Sequence, residues 1–294
     1  AVPLSLRLQL DAYVARAGGK QPRSDFEFPH EWYLLAGTTF GDGIGVFAEA
    51  TLSPSEGVEI AQAKVVFSHP VRFLPPRLLN LWVGLQDLHP FTLAARQTDR
   101  AAKQMFRWQT FRPADVVVSN ASQQTLQPLS TAALLTPQPA LVAQGLIGRR
   151  VSYTAGVARG NAGAAADNND HKDLYYTVRW KVGGLGLDGT YDTGRGPVPG
   201  GHGQLFDRAL VLEQFGYRGA EPAGGAMADP WHAVGVAARL YMGHLDLGAG
   251  YVVRQDDRPF GAAAAGAMRS RSLFGKAEYA VQPWLFGSLK AERF

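Results

Sequence analysis

The chain has 294 residues, with 29 Lys+Arg against 25 Asp+Glu, seven His and no Cys. A formal net charge of +4, with no Lys/Arg run, is too mild to argue for nucleic acid, and the absence of Cys excludes disulfides, thiol nucleophiles, Cys-based zinc and c-type haem attachment to this chain. No uncharged apolar stretch reaches the length of about 18 residues that a membrane-spanning helix needs, but a closed barrel needs none, because its backbone is satisfied between strands.

The opening residues AVPLSLRLQL carry no Met and no basic-then-apolar leader, as expected after removal of a signal peptide or in a fragment. From Leu4 the period is two. Leu4, Leu6, Leu8, Leu10, Ala12 and Val14 share one parity, and Ser5, Arg7, Gln9, Asp11 and Tyr13 the other. Such alternation is a strand signal, since a helix would scatter both classes around its circumference. The pattern returns at Ile44–Leu52, Leu79–Gln86, Leu174–Val182 and Leu273–Val281. Asp42-Gly43, Gly183-Gly184, Gly243-His244 and Gln282-Pro283 lie between alternating runs, so tight turns should join antiparallel neighbours. About fourteen strands are predicted: 4–16, 31–40, 44–53, 58–68, 78–87, 140–148, 150–160, 172–182, 185–194, 207–218, 231–242, 244–255, 270–281 and 284–294.

A soluble sandwich or lipocalin-like barrel would pack the apolar parity inside, on strands of about 5–6 residues. Here the runs are about 9–12 residues long, the length a tilted strand needs to cross hydrocarbon. Two-to-four-residue turns should lie on one rim, and the longer connections 17–30, 161–171, 195–206, 219–230 and 256–269 on the other. Trp32, Tyr33, Trp180, Tyr217, Trp231, Tyr251 and Trp284 fall near strand ends, where an interfacial aromatic girdle is expected. The pattern predicts an all-β fold: a single domain over 1–294 forming a transmembrane antiparallel up-and-down β-barrel of about 14–16 strands. Its apolar parity should face lipid and its polar parity a lumen.

Val58–Phe67 with Leu79–Pro90 (VEIAQAKVVF, LNLWVGLQDLHP) resembles paired strands of Gram-negative outer-membrane porins. Val151–Gly189 is similar to the phosphate-selective-porin-like branch, and to the barrels of porin–cytochrome electron conduits. The resemblance implies a bacterial outer-membrane location, contact with its lipid, and a channel for passive passage of small solutes or ions; it leaves the oligomeric state open. The second branch implies another role, a sheath holding a multihaem c-type cytochrome whose haems belong to the partner. One departure stands out. Porin chains usually end in Phe with apolar residues at alternate positions before it, whereas Phe294 follows Glu292, Lys290 and Ser288 at that parity.

The alternation breaks over about 88–139. Arg96, Arg100, Lys103, Arg107 and Arg112 stand here against Asp99 and Asp115, and Phe91–Trp108 is Ala-rich enough for one short helix. Spacings of four, three and four would put the first four cations on one helical face. Folded into the lumen, the loop would form a basic constriction with weak anion preference; on the rim it would be a solvated face or a contact for headgroups. Arg7, Lys64, Arg179, Lys181, Arg239, Arg254, Lys276 and Lys290 would add positive lumen charge, partly cancelled by Asp11, Glu49, Asp188, Asp246, Glu278 and Glu292. The wall residues Gly235, Ala237, Gly248 and Gly250 would leave room for a protein plug. Hydrolase and nucleotide-binding motifs are missing, and the His residues lack metal-ligand spacing, so no enzyme is expected. Gly184–Gly189 formally matches G-x-G-x-x-G but lacks the helix that would give the match meaning.

Overall fold

The computed structural model describes residues 4–15, 23–53, 57–88, 90–92, 106–119, 125–134, 137–160, 170–189, 207–222, 228–261, 266–282 and 285–294. Within these ranges, the side chains of 7–15, 23–31, 53 and 222 are outside the description. The first half of the chain contributes β1 (Leu4–Ala15), β2 (Arg23–Phe40), β3 (Ile44–Ser53), β4 (Gly57–Ser68) and β5 (Asn80–Gln86). A helical turn α1 (Arg107–Thr110) and two short strands, β6 (Val118–Ser119) and β7 (Thr125–Leu126), follow. The wall resumes with β8 (Gln138–Ile147), β9 (Val151–Ala158), β10 (Asp173–Val182), β11 (Arg208–Pro222), β12 (Ala228–Met242), β13 (Leu245–Asp256), β14 (Met268–Gln282) and β15 (Leu285–Arg293).

All but β6 and β7 belong to one 13-stranded sheet in which each strand pairs antiparallel with its neighbour in chain order, the up-and-down connectivity of a barrel. The sheet is strongly curled. The Phe91 ring lies 4.9 Å from that of Phe215 on β11 and 6.0 Å from that of Phe274 on β14, so one side chain bridges strands three apart. The Gln138 amide on β8 likewise reaches the Tyr217 hydroxyl on β11 at 3.2 Å.

Register fixes the two faces. Along β10, Leu174, Tyr176, Val178, Trp180 and Val182 are exposed, while the alternate residues are buried or half-buried. On β12 the exposed positions run from Pro230 through Val234, Val236 and Leu240 to Met242, opposite buried Trp231, Ala233, Gly235 and Ala237. The apolar parity therefore faces outward and the polar parity inward, as the alternation predicts. Val236 is 56% exposed, Leu273 58% and Leu289 71%. In water each such side chain would forgo about 1.5–3 kcal/mol of burial, and so continuous an apolar surface marks an interaction with something other than water.

Four expectations are corrected. Residues 185–189 form turns rather than a strand; β10 pairs directly with β11, and 190–194 lie outside the described residues. Gly183, Gly184 and Gly189 have φ of 78°, 57° and 79°, left-handed conformations a strand excludes, and the alternating G-L-G-L-D-G hides them. The expected loops 17–30 and 219–230 are partly strand, because β2 begins at Arg23, β11 runs to Pro222 and β12 begins at Ala228. Long connections at 87–137, 159–172 and 257–267 do share one rim. The 183–207 connection, however, leaves and re-enters the sheet at the opposite rim, with the turns at 41–43, 148–150 and 243–244. Tyr217 and Trp231 also leave the expected girdle: they point inward and stack at 4.6 Å, whereas Trp32, Trp180 and Tyr251 face out. Trp284 lies outside the described residues.

The 183–189 strap is held by its own chemistry. Asp188 takes Arg77 at 2.6 Å and Arg149 at 3.3 Å, and both arginines have positive φ. A left-handed non-Gly residue costs about 1–2 kcal/mol, and the two arginines that adopt this conformation here meet at the one Asp188 carboxylate. Arg150 donates to the Gly183, Gly184 and Leu185 carbonyls. Asp207, at the strap's return to the sheet, is partly buried, which opposes ionisation. The Lys181 ammonium at 2.8 Å and the Leu185 and Arg208 N–H groups outweigh that burial and hold its carboxyl below the usual range.

Candidate pore lining and its inward-folded segment

Opposite charges at i and i+2 of one strand share a face, and the inner wall uses this repeatedly. On β13, Arg254 holds Asp256 through Nε at 2.9 Å and Nη2 at 2.6 Å; on β14, Lys276 lies 2.8 Å from Glu278. Across strands, Arg179 pairs with Glu213 at 3.0 Å, and Arg239 forms a two-pronged pair with Asp246. At the other side of the sheet, the Gln62 amide donates to Glu49 at 3.2 Å and accepts from Lys64 at 2.9 Å. The Lys64 ammonium sits 4.5 Å above the Trp82 ring. Pairing lets the inner face carry many charges without a large net field.

Part of the 87–137 connection folds against this face. Phe91 and Trp108 contact Phe215 and Phe274 in an aromatic cluster, with Phe106 4.7 Å from Phe274. Gly235 makes the space: a Cβ there would come within 2.8 Å of Phe91 Cζ and also strike Phe215. Polar anchors surround the rings. The Thr92 N–H donates to Glu213 at 2.7 Å and its hydroxyl donates to the same carboxylate, while Arg239 donates to the Thr92 carbonyl at 3.3 Å. Glu292 accepts from the Trp108 N–H at 3.0 Å, from the Arg107 N–H, and from Ser272 at 2.7 Å.

Arg254 is the hub of these anchors. It is 3% exposed, sits 4.2 Å over the Trp231 ring, and holds Asp256 with two of its nitrogens. Its remaining Nη1 donates to the Ala132 carbonyl at 2.7 Å and the Phe111 carbonyl at 3.4 Å, both in the folded-in segment. One buried cation thus ties two wall strands to two points of that segment.

The expected site residues divide as follows. Arg96, Arg100 and Lys103 lie outside the described residues, as does most of the expected helix over Phe91–Trp108; only Arg107 and Trp108 fall in α1. Arg107 is exposed, and Arg112 pairs with Asp115 at 3.1 Å. Arg7 and Asp11 stand on β1 in register with Tyr33 and Glu27, with their side chains outside the description. Glu49, Lys64, Arg179, Lys181, Arg239, Lys276 and Glu278 all stand on the inward parity, most of them in the pairs above. Sequence reading missed Glu213 and the wall-anchoring roles of Arg254 and Glu292. The available signal was the i, i+2 opposite-charge pattern of Arg254-Gln-Asp256. In sequence the tail Lys290-x-Glu292 reads as a pair of lumen charges and a departure from porin endings; in the structure Glu292 is an anchor and the Phe294 ring packs 4.9 Å from Phe111.

No protein-family model matches the chain, and no curated protein matches by sequence. Among solved structures, OmpT, an outer membrane protein of Vibrio cholerae, is similar at 11% identity with a TM-score of 0.44, over 99% of this chain and 85% of that one. Its loop L8 deletion mutant gives 11% and 0.45, over 100% and 94%. An anion-selective porin from Comamonas acidovorans is similar at 12% identity with a TM-score of 0.59, over 99% of this chain and 78% of that one. The fold is therefore that of an outer-membrane porin barrel, and the outward apolar surface is the one such a barrel turns to lipid.

Proposed function

We propose that the chain is a channel of the bacterial outer membrane, passing small solutes or ions passively with a weak preference for anions, and that it is not an enzyme. One observation carries this reading: a segment of the chain's own long connection is anchored to the inner wall by Arg254, Glu213 and Glu292, narrowing a charge-lined interior from one side. The anion-selective porin of the same fold supports it. Wall charges that are paired with each other contribute little selectivity. The preference is therefore assigned to the cations of the connection itself, Arg96, Arg100 and Lys103. The sheath for a multihaem cytochrome is the weaker reading. The space left by Gly235, which a guest protein would need on β11–β14, is filled by Phe91 of this chain.

The triple variant R96E/R100E/K103E is expected to invert the sign of the reversal potential under a salt gradient in planar bilayers. An unchanged reversal potential at normal conductance would remove these residues from the constriction. No conductance from folded wild-type protein would remove the channel itself.

A further inference from the structure

The charges of β10–β15 are sorted by face. Every Asp and Glu on these strands, from Asp173 to Glu292, takes the inward parity, and so do Arg179, Arg239, Arg254 and both Lys of β14–β15. Five arginines point outward instead. Arg208 stands at the rim of short turns, and Arg218, Arg269, Arg271 and Arg293 at the rim of long loops. Inner arginines are bonded to carboxylates, whereas none of the four outward arginines at the long-loop rim has an ion pair among the described residues.

Register places the four together. Arg218 faces His232, His232 faces Gln255, and Gln255 faces Arg269, giving one row across β11–β14. Arg271 lies two residues further into the sheet, and Arg293 is level with Leu273, two further again. From β11 to β15 is four strand spacings, roughly 19 Å. Just inside the row, the outward positions become Val234, Val236, Tyr251, Val253 and Leu273. A cationic band thus borders an apolar one, with a single carboxylate among the described residues at its outer edge, that of Asp257, which accepts from Gln255 at 2.9 Å.

We propose that this band is a docking surface for the phosphate groups of phosphorylated lipid headgroups in the leaflet at the long-loop rim. Apolar residues below would take acyl chains, while guanidinium forks above would take phosphate oxygens bidentately. The proposal rests on the outer-membrane reading above, since it requires the apolar face to lie in lipid.

The test uses the full chain in neutral detergent, with native mass spectrometry to count bound lipid. The probe is a bis-phosphorylated glucosamine-disaccharide lipid, compared with its dephosphorylated form and with inorganic phosphate. Wild-type protein is expected to hold the phosphorylated lipid at least tenfold more tightly than the dephosphorylated one, with millimolar phosphate a poor competitor. The variant R218Q/R269Q/R271Q/R293Q should lose that difference, and R208Q at the opposite rim should keep it. Equal binding of both lipids by wild-type protein overturns the proposal without needing any variant, and effective competition by inorganic phosphate overturns the lipid as occupant. Bilayer conductance of the same preparation separates the two readings: a conducting protein indifferent to the phosphate defeats only this one, and a protein that neither needs detergent nor conducts defeats both.

Discussion

Replacing Arg254 with Met is expected to destabilise the protein by about 3–5 kcal/mol, the usual cost of removing one partner from a buried ion pair. The substitution leaves the Asp256 carboxylate, 0% exposed, without its cation, and frees the Ala132 and Phe111 carbonyls from the only wall arginine they share among the described residues. Stacking of the guanidinium on Trp231 is lost as well. Because the hub joins wall to folded-in segment, the loss should have a functional signature beyond stability: larger and noisier single-channel currents as the segment detaches. Urea unfolding in detergent, read by heat-dependent gel mobility, gives the first quantity and planar bilayers the second. The double variant R254M/D256L should recover part of the stability, since the Asp256 charge is gone while buried Glu221 and Asp229 still lose the attraction of Arg254, but not the quiet current, since the Ala132 carbonyl has lost its Arg254 donor. A single variant as stable and as quiet as wild type would show that the hub anchors nothing.

The second large effect is a face test. Val178 is mid-strand on β10 and 39% exposed on the outward parity, with Tyr153 and Gln214 as its cross-strand neighbours. Val178→Arg should cost about 2–4 kcal/mol in a bilayer, the depth-dependent penalty for Arg on a lipid face. Thr177→Arg, one residue earlier and on the inward parity beside Phe215, should fold with much less penalty. Refolding yields into lipid vesicles over a urea series measure both. Equal tolerance of the two substitutions would overturn the face assignment.

The same two residues show why so much of this fold is legible in sequence. A strand in a lipid-facing wall meets hydrocarbon on one side and polar surroundings on the other, so the period of two is imposed along its whole length. Leu174–Val182 displays it without interruption, and so does the Val234–Met242 run on β12. Backbone conformation at glycine is less legible. Leu185–Gly189 has the alternation of a strand, but the left-handed φ of Gly183, Gly184 and Gly189 cannot be seen in a pattern of apolar and small residues. Long-range anchoring is least legible of all. Thr92 and Glu213 are separated by 121 positions and Arg254 and Ala132 by 122, and nothing local marks either pair. The aromatic cluster misleads for a related reason: Tyr217 and Trp231 sit near strand ends as girdle residues do, and only their parity reveals that they face inward.

The central claim is that the apolar parity of this sheet faces acyl chains and the polar parity does not. Since the chain has no Cys, single cysteines at 174–182 can each carry a nitroxide without background labelling. In vesicles, accessibility to dissolved oxygen should peak at the even-numbered positions 174, 176, 178, 180 and 182. Accessibility to a water-soluble nickel complex should peak at the odd ones, the two profiles oscillating out of phase with a period of two. Profiles in phase, or oxygen maxima at 175, 177 and 179, would contradict the account.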